Sequence, residues 1–220
     1  MSLPYAARFA ATVILLATLY TLLVIRPGIR IIGVLTPRQL WILDHPFQWQ
    51  LGWWLWLVTI FSWMVLLVVL SWHYLPAHRV AGALQSGVMV IAAVLLIAGV
   101  TVWMGLLPVA LAQFTEAALL TPLVDALALG LLGAGLMMAG AVTTWLVVDL
   151  MRLSVLSRAW LAPLAFAGLC LLPSPFLLPN PYLLLAGALC WLIGCGWLAT
   201  RPRLPSPFVE WPEQKESSGL

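Results

Sequence analysis

Residues 51–75 read LGWWLWLVTIFSWMVLLVVLSWHYL, a run without a single aspartate, glutamate, lysine or arginine. About 20 apolar residues in a helix are enough to cross the ~30 Å hydrocarbon layer of a bilayer. Tryptophan and tyrosine crowd both ends, while Val65 to Leu70 in the middle is aliphatic. That distribution predicts a membrane-crossing helix with an aromatic belt at each interface.

Working outward, the same reading recurs. Phe9 to Ile25 is apolar, follows Arg8 and is closed by Arg26-Pro27-Gly28. It is long for the apolar region of a signal peptide, and no A-x-A-like cleavage site follows, so it is read as a retained span. A third span is expected over about 80–107, stopping at Pro108. A fourth runs over 122–148, with Thr121 as N-cap and Pro122 at the first helical position. A fifth is expected over 159–178. Pro173 and Pro175 interrupt it, so it either continues kinked or stops short with irregular backbone completing the crossing. A sixth spans 181–200. The expected fold is all-α, a transmembrane bundle of about six spans over residues 1–200. The tail 201–220, rich in Pro, Ser and charge, is expected to be disordered.

Composition agrees. Apolar residues make up 64% of the 220 and charged residues 8%, against roughly a quarter charged in a water-soluble domain. The net charge of +3 comes from basic residues scattered over connectors. These form no patch, which argues against nucleic acid as a partner. The expected partners are the lipid bilayer and other membrane chains. With both termini in the cytoplasm, Arg8, Arg79, Arg152, Arg158, Arg201, Arg203 and Lys215 lie inside, against Arg26, Arg30 and Arg38 outside. The positive-inside bias favours that orientation, and a bacterial plasma membrane is the expected setting.

Residues 26–50 connect the first two spans. Their middle, around Leu40-Trp41-Ile42-Leu43, suits a segment lying at the interface, with Trp41 and Trp49 as ring anchors.

An ionisable residue at membrane depth is a functional candidate, because it is costly there unless paired. Asp125 is such a candidate. It could complement the helix dipole at the start of the fourth span, or face a polar pathway together with Gln85 and His73. Asp149, three residues before Arg152, suggests an interfacial ion pair. His73 and His78 flank a proline corner on different helical faces, which argues against a shared metal. His73 alone falls short of the several facing histidines a dihaem bundle needs. Gln85-Ser86-Gly87 lacks the first glycine of an intramembrane protease's GxSG turn, although His73 lies near the same membrane face. Cys170, Cys190 and Cys195 form no CxxC pair and read as buried free thiols. No catalytic or metal set and no cofactor is therefore expected.

Small residues four apart allow membrane helices to approach closely. Ala126, Gly130 and Ala134 form one such stripe, with Gly135 and Ala139 beside it, and Ala186, Cys190 and Gly194 form another. The two halves of the chain share no alignable repeat.

The run His45-Pro46-Phe47 leading to Leu51-Gly52-Trp53-Trp54-Leu55-Trp56, and the later Trp145-Leu146-Val147-Val148 to Arg158-Ala159-Trp160-Leu161, carry a resemblance. In layout the chain resembles a broad group of bacterial six-helix integral membrane proteins. That resemblance implies the architecture and no activity. The function expected from sequence is a non-enzymatic accessory or scaffold subunit. The alternative is a small-molecule permease with its site near Asp125 and the break at Pro173 to Pro181.

Overall fold

The computed structural model describes residues 2–31, 35–75, 80–113, 116–153, 156–178 and 182–200. The tail, His78 and residues 179–181 lie outside them. The described elements are all helical: α1 Leu3–Tyr20, α2 Leu35–Asp44, α3 Pro46–Tyr74, α4 Val80–Thr101, α5 Leu107–Ala112, α6 Ala117–Arg152, α7 Arg158–Leu171, α8 Ser174–Leu177 and α9 Tyr182–Ala199. Two π-helical turns extend this set. Thr21–Ile25 prolongs α1, and Val102–Leu106 joins α4 to α5 in one rod.

Among the described residues, five stretches are long and apolar enough to cross a membrane: Leu3–Ile25, Pro46–Tyr74, Val80–Ala112, Ala117–Arg152 and Tyr182–Ala199. The fifth expected span is discontinuous. Helix α7 has 14 residues, about 21 Å at 1.5 Å per residue. After it the chain turns at Leu172 and Pro173 and makes only the short α8. Pro173 and Pro175 supply no N–H and clash with the preceding turn, so the helix stops. The ideal Cβ position of Gly133 lies 3.0 Å from Pro175 Cα, which sets the break midway along α6.

Other boundaries differ from expectation for identifiable reasons. Helix α6 starts at Ala117, not at Thr121-Pro122, and Pro122 sits within it. A proline near the start of a helix removes only one internal hydrogen bond. Pro108 does not end the third span. In the π-turn the Trp103 carbonyl would pair with the N–H of residue 108, which proline lacks. The indole of Trp49 supplies the donor instead, Nε1 to Trp103 O at 3.0 Å. Helix α3 begins at Pro46, so Trp49 is in its first turn and fully buried rather than an interfacial anchor.

The helices pack as a closed ring in the order α1, α3, α4, α6, α7, α9 and back to α1. The α6–α7 contact is a close one. A Cβ on Gly168 would collide with Thr144 Oγ1, and one on Gly140 would lie 2.5 Å from Gly168 O. Only glycine at both positions lets these backbones meet. Contacts across the ring are few, and the geometry explains why. Six cylinders about 10 Å wide set in a circle leave a central gap about as wide as a seventh.

Candidate functional site, a central cavity and the ion pair beside it

That gap is a partly enclosed cavity of about 320 Å³ to which all six ring helices contribute. Helix α3 supplies its most distinctive wall. Trp49, Trp53, Trp56, Ile60, Trp63, Leu67 and Leu70 repeat at spacings of three and four, the pattern that lines one helical face. Trp53, Trp56, Ile60 and Trp63 of this stripe line the cavity, joined by Trp103 from the π-turn and Trp191 from α9. The expected aromatic belts are thus only part of the pattern. Trp54 and Trp72 are exposed, whereas the stripe faces inward.

Three of the four stripe indoles are each tied to a different element, and Trp53 Nε1 has no partner among the described residues. Trp49 reaches the π-turn of the α4–α5 rod, Trp56 Nε1 donates to Thr21 Oγ1 of α1's π-turn at 2.9 Å, and Trp63 Nε1 donates to Thr143 Oγ1 of α6 at 3.0 Å. Replacing Trp63 by Phe keeps an aromatic ring but removes the donor and the indole's second ring. It is expected to lower stability by about 1–3 kcal/mol, measurable as a reduced Tm in mild detergent.

Behind one wall of the cavity lies a buried ion pair. Arg38 Nη1 and Nη2 meet Asp125 Oδ2 and Oδ1 at 2.5 and 2.8 Å. Arg38 Nε donates to Gly28 O at 2.7 Å, and Trp103 Nε1 donates to Asp125 Oδ1 at 2.9 Å. The guanidinium and the carboxylate are therefore both multiply engaged, as buried charges require. Asp125 is two turns into α6, so the dipole role expected for it is replaced by a partner 87 residues away. Trp103 links the two features. Its indole nitrogen holds the carboxylate, and its ring packs on Trp53 at a centroid distance of 4.9 Å.

The remaining candidates lie elsewhere. Gln85 Nε2 donates to Asp149 Oδ2 at 2.9 Å, so Asp149 is held by α4 rather than by the expected Arg152. Helices α4 and α6 are thereby joined near both ends, with Trp103 on Asp125 at one and Gln85 on Asp149 at the other. His73 Nδ1 donates to Val69 O at 2.9 Å, and Ser86 Oγ donates to Gly82 O at 2.9 Å. Both are committed to their own helices. The structure does not bring Gln85 or His73 to Asp125.

Among the small residues, Gly194 packs on Leu164, while Ala186 and Cys190 are half-buried. Ala134 is half-buried, and Ala126 and Gly130 face outward. A Cβ on Gly130 would meet nothing within 4 Å. Gly135 against Leu96 and Gly99 against Leu132 make the α4–α6 seam. The three cysteines are free thiols.

An all-α bundle with five apolar helices of crossing length around a lipophilic cavity places the chain in the class of integral membrane proteins. Comparison with known protein families, characterised proteins and solved structures yields no match to this chain.

Proposed function

We propose that this chain is a multi-pass membrane protein that holds a lipophilic molecule at the centre of its helix ring, in an accessory or carrier role. The observation that carries this reading is the cavity, walled by indoles and aliphatic side chains. Cavities of a few hundred Å³ with mostly apolar walls and a few polar groups are typical of small-molecule sites. Apolar voids of this kind also stay dry when empty, so a lipophile has little water to displace. Both π-helical turns contribute to the wall, through Thr21 and Leu22 and through Trp103. Such turns recur at functional sites.

A permease centred on Asp125 has less support, because both carboxylate oxygens are already engaged by Arg38 and Trp103. The same pairing bears on orientation. Arg38 is buried inside the bundle rather than set in a water-facing connector, which supports cytoplasmic termini.

The test is purification in mild detergent, followed by solvent extraction and mass spectrometry of what co-elutes. A stoichiometric lipophile is expected with the wild type. Ala188→Trp, which fills the cavity from α9, is expected to lose it while remaining folded. A wild-type protein that carries only detergent and bulk phospholipid, and is not stabilised by any added lipophile, would overturn the reading.

A further inference from the structure

The central cavity occupies only one end of the helix ring. On α1, α4 and α7 its lining begins at Ile14, Leu96 and Ala167. On α3, α6 and α9, which run the opposite way, the lining ends at Trp63, Thr143 and Trp191. Beyond those levels the ring is filled. Ala10, Leu66, Leu146, Leu164 and Cys195 are buried, and none of them lines the cavity. Trp63, Thr143 and Trp191 are themselves buried, so the floor is closed. The other end is looser. Leu22, Ile29, Ile31, Leu178 and Leu184 line the cavity there, and each is at least partly exposed. The stretch from Trp53 to Trp63 on α3 measures the depth, about 15 Å at 1.5 Å per residue. That is half of the ~30 Å hydrocarbon layer. The space is a blind pocket one leaflet deep, and its mouth is at the end where the chain between α1 and α3 lies.

Two exposed arginines stand at that mouth. Arg30 lies between Ile29 and Ile31 in the chain, and Arg26 directly follows the π-turn that carries Leu22. Among the described residues neither has an ion-pair partner, whereas Arg38 is neutralised by Asp125. The described residues of the lining include no charged side chain. With cytoplasmic termini, Arg26 and Arg30 lie on the side that the positive-inside bias disfavours.

From this arrangement we infer that the pocket takes a single-chain anionic amphiphile of the fatty-acid type, its chain in the cavity and its headgroup at Arg26 and Arg30. The inference rests on the binding reading above and narrows it. A charged headgroup inside the apolar lining would be left without partners, at a large cost. At the mouth it stays hydrated and meets guanidinium groups, whose fork suits a carboxylate. A volume of about 320 Å³ is at the small end for a ligand site, which suits one chain rather than the two of a bilayer phospholipid. The match in depth lets that chain pass between leaflet and pocket without changing its level in the membrane.

Three probes with the same chain and different heads test this on the full-length protein in a non-ionic detergent, with thermal unfolding followed by circular dichroism. They are dodecanoate, dodecanol and dodecylamine, in a mildly alkaline buffer where the carboxylate is ionised. Dodecanoate is expected to stabilise the protein at about fivefold lower concentration than dodecanol, the worth of a solvent-exposed ion pair. Dodecylamine is expected to be weakest, and added salt should shrink the differences. The double variant Arg26→Gln with Arg30→Gln changes only exposed side chains and is expected to make the three probes alike. Arg158→Gln, an exposed arginine at the filled end, should keep their order. Ala188→Trp, which fills the cavity, should abolish all three effects.

Equal effects of dodecanoate and dodecanol on the wild type would overturn the headgroup assignment while leaving lipophile binding intact. An unchanged order in the double arginine variant would do the same. A dodecanoate effect that survives Ala188→Trp would mean that the anion acts at the surface and not through the pocket. No effect of any probe, together with an empty purified protein, would remove the binding reading itself.

Discussion

Replacing Asp125 by alanine is expected to destabilise the protein by about 3–5 kcal/mol, the cost of leaving a buried charge without its partner. The guanidinium of Arg38 would stay in the interior, since Arg38 is only 4% exposed. It would keep the Gly28 carbonyl but lose both carboxylate oxygens, and the Trp103 indole would lose its acceptor as well. The effect should extend beyond stability. Trp103 packs on Trp53 in the cavity wall, so a loosened Trp103 should also weaken ligand retention. Unfolding in a graded mixture of mild detergent and SDS measures the first effect, and co-purified lipophile the second. The double replacement Arg38→Met with Asp125→Leu separates charge from packing. Apolar residues in place of a buried pair are often neutral, so the double variant should be more stable than Asp125→Ala. A double variant as unstable as the single would mean that the pair acts through shape rather than charge.

Gly140→Val is expected to be the other large perturbation. A Cβ there would lie 2.5 Å from Gly168 O, 2.9 Å from Leu171 Cβ and 3.1 Å from Leu172 N. Two of these three neighbours are backbone atoms, so the clash cannot be relieved by a rotamer change. Overpacking of this kind costs about 1–3 kcal/mol and sometimes more. Helix α7 must move away from α6, which opens the ring at the point where Gly168 and Leu171 line the cavity. Gly130→Val is the control. Its Cβ would meet nothing within 4 Å, so it should leave the Tm of the isolated protein nearly unchanged. If the two variants behave alike in thermal unfolding, the assignment of the α6–α7 seam is wrong.

Parts of this arrangement could be read from single residues. Pro173 and Pro175 mark the break after α7, because proline's missing N–H acts locally. The clue to the ion pair was present as well. Asp125 is an acid in an apolar run with no neighbour to neutralise it, and Arg38 is a base two residues before the short apolar middle of its connector. Matching unpaired charges of opposite sign would have suggested them to each other, since neither is tolerated alone at depth. Trp103 and the Thr21 and Thr143 hydroxyls carried no such signal. Their roles depend on which helices become neighbours.

What the sequence determined by itself is the class of structure: a chain of helices, most of them able to cross a membrane. That property is one-dimensional. It depends only on whether an uninterrupted apolar stretch matches the thickness of hydrocarbon, and on where proline and charge interrupt it. The tertiary structure alone decided which faces turn inward. In a water-soluble helix the polar face declares the outside, but lipid tails are as apolar as a core. A helix that is apolar all round therefore carries no sign of direction. The Trp49 to Trp63 stripe, the closure of six helices around a gap, and the meeting of Arg38 with Asp125 were settled by packing and by the need of buried charges and of the Trp49, Trp56 and Trp63 indoles for partners.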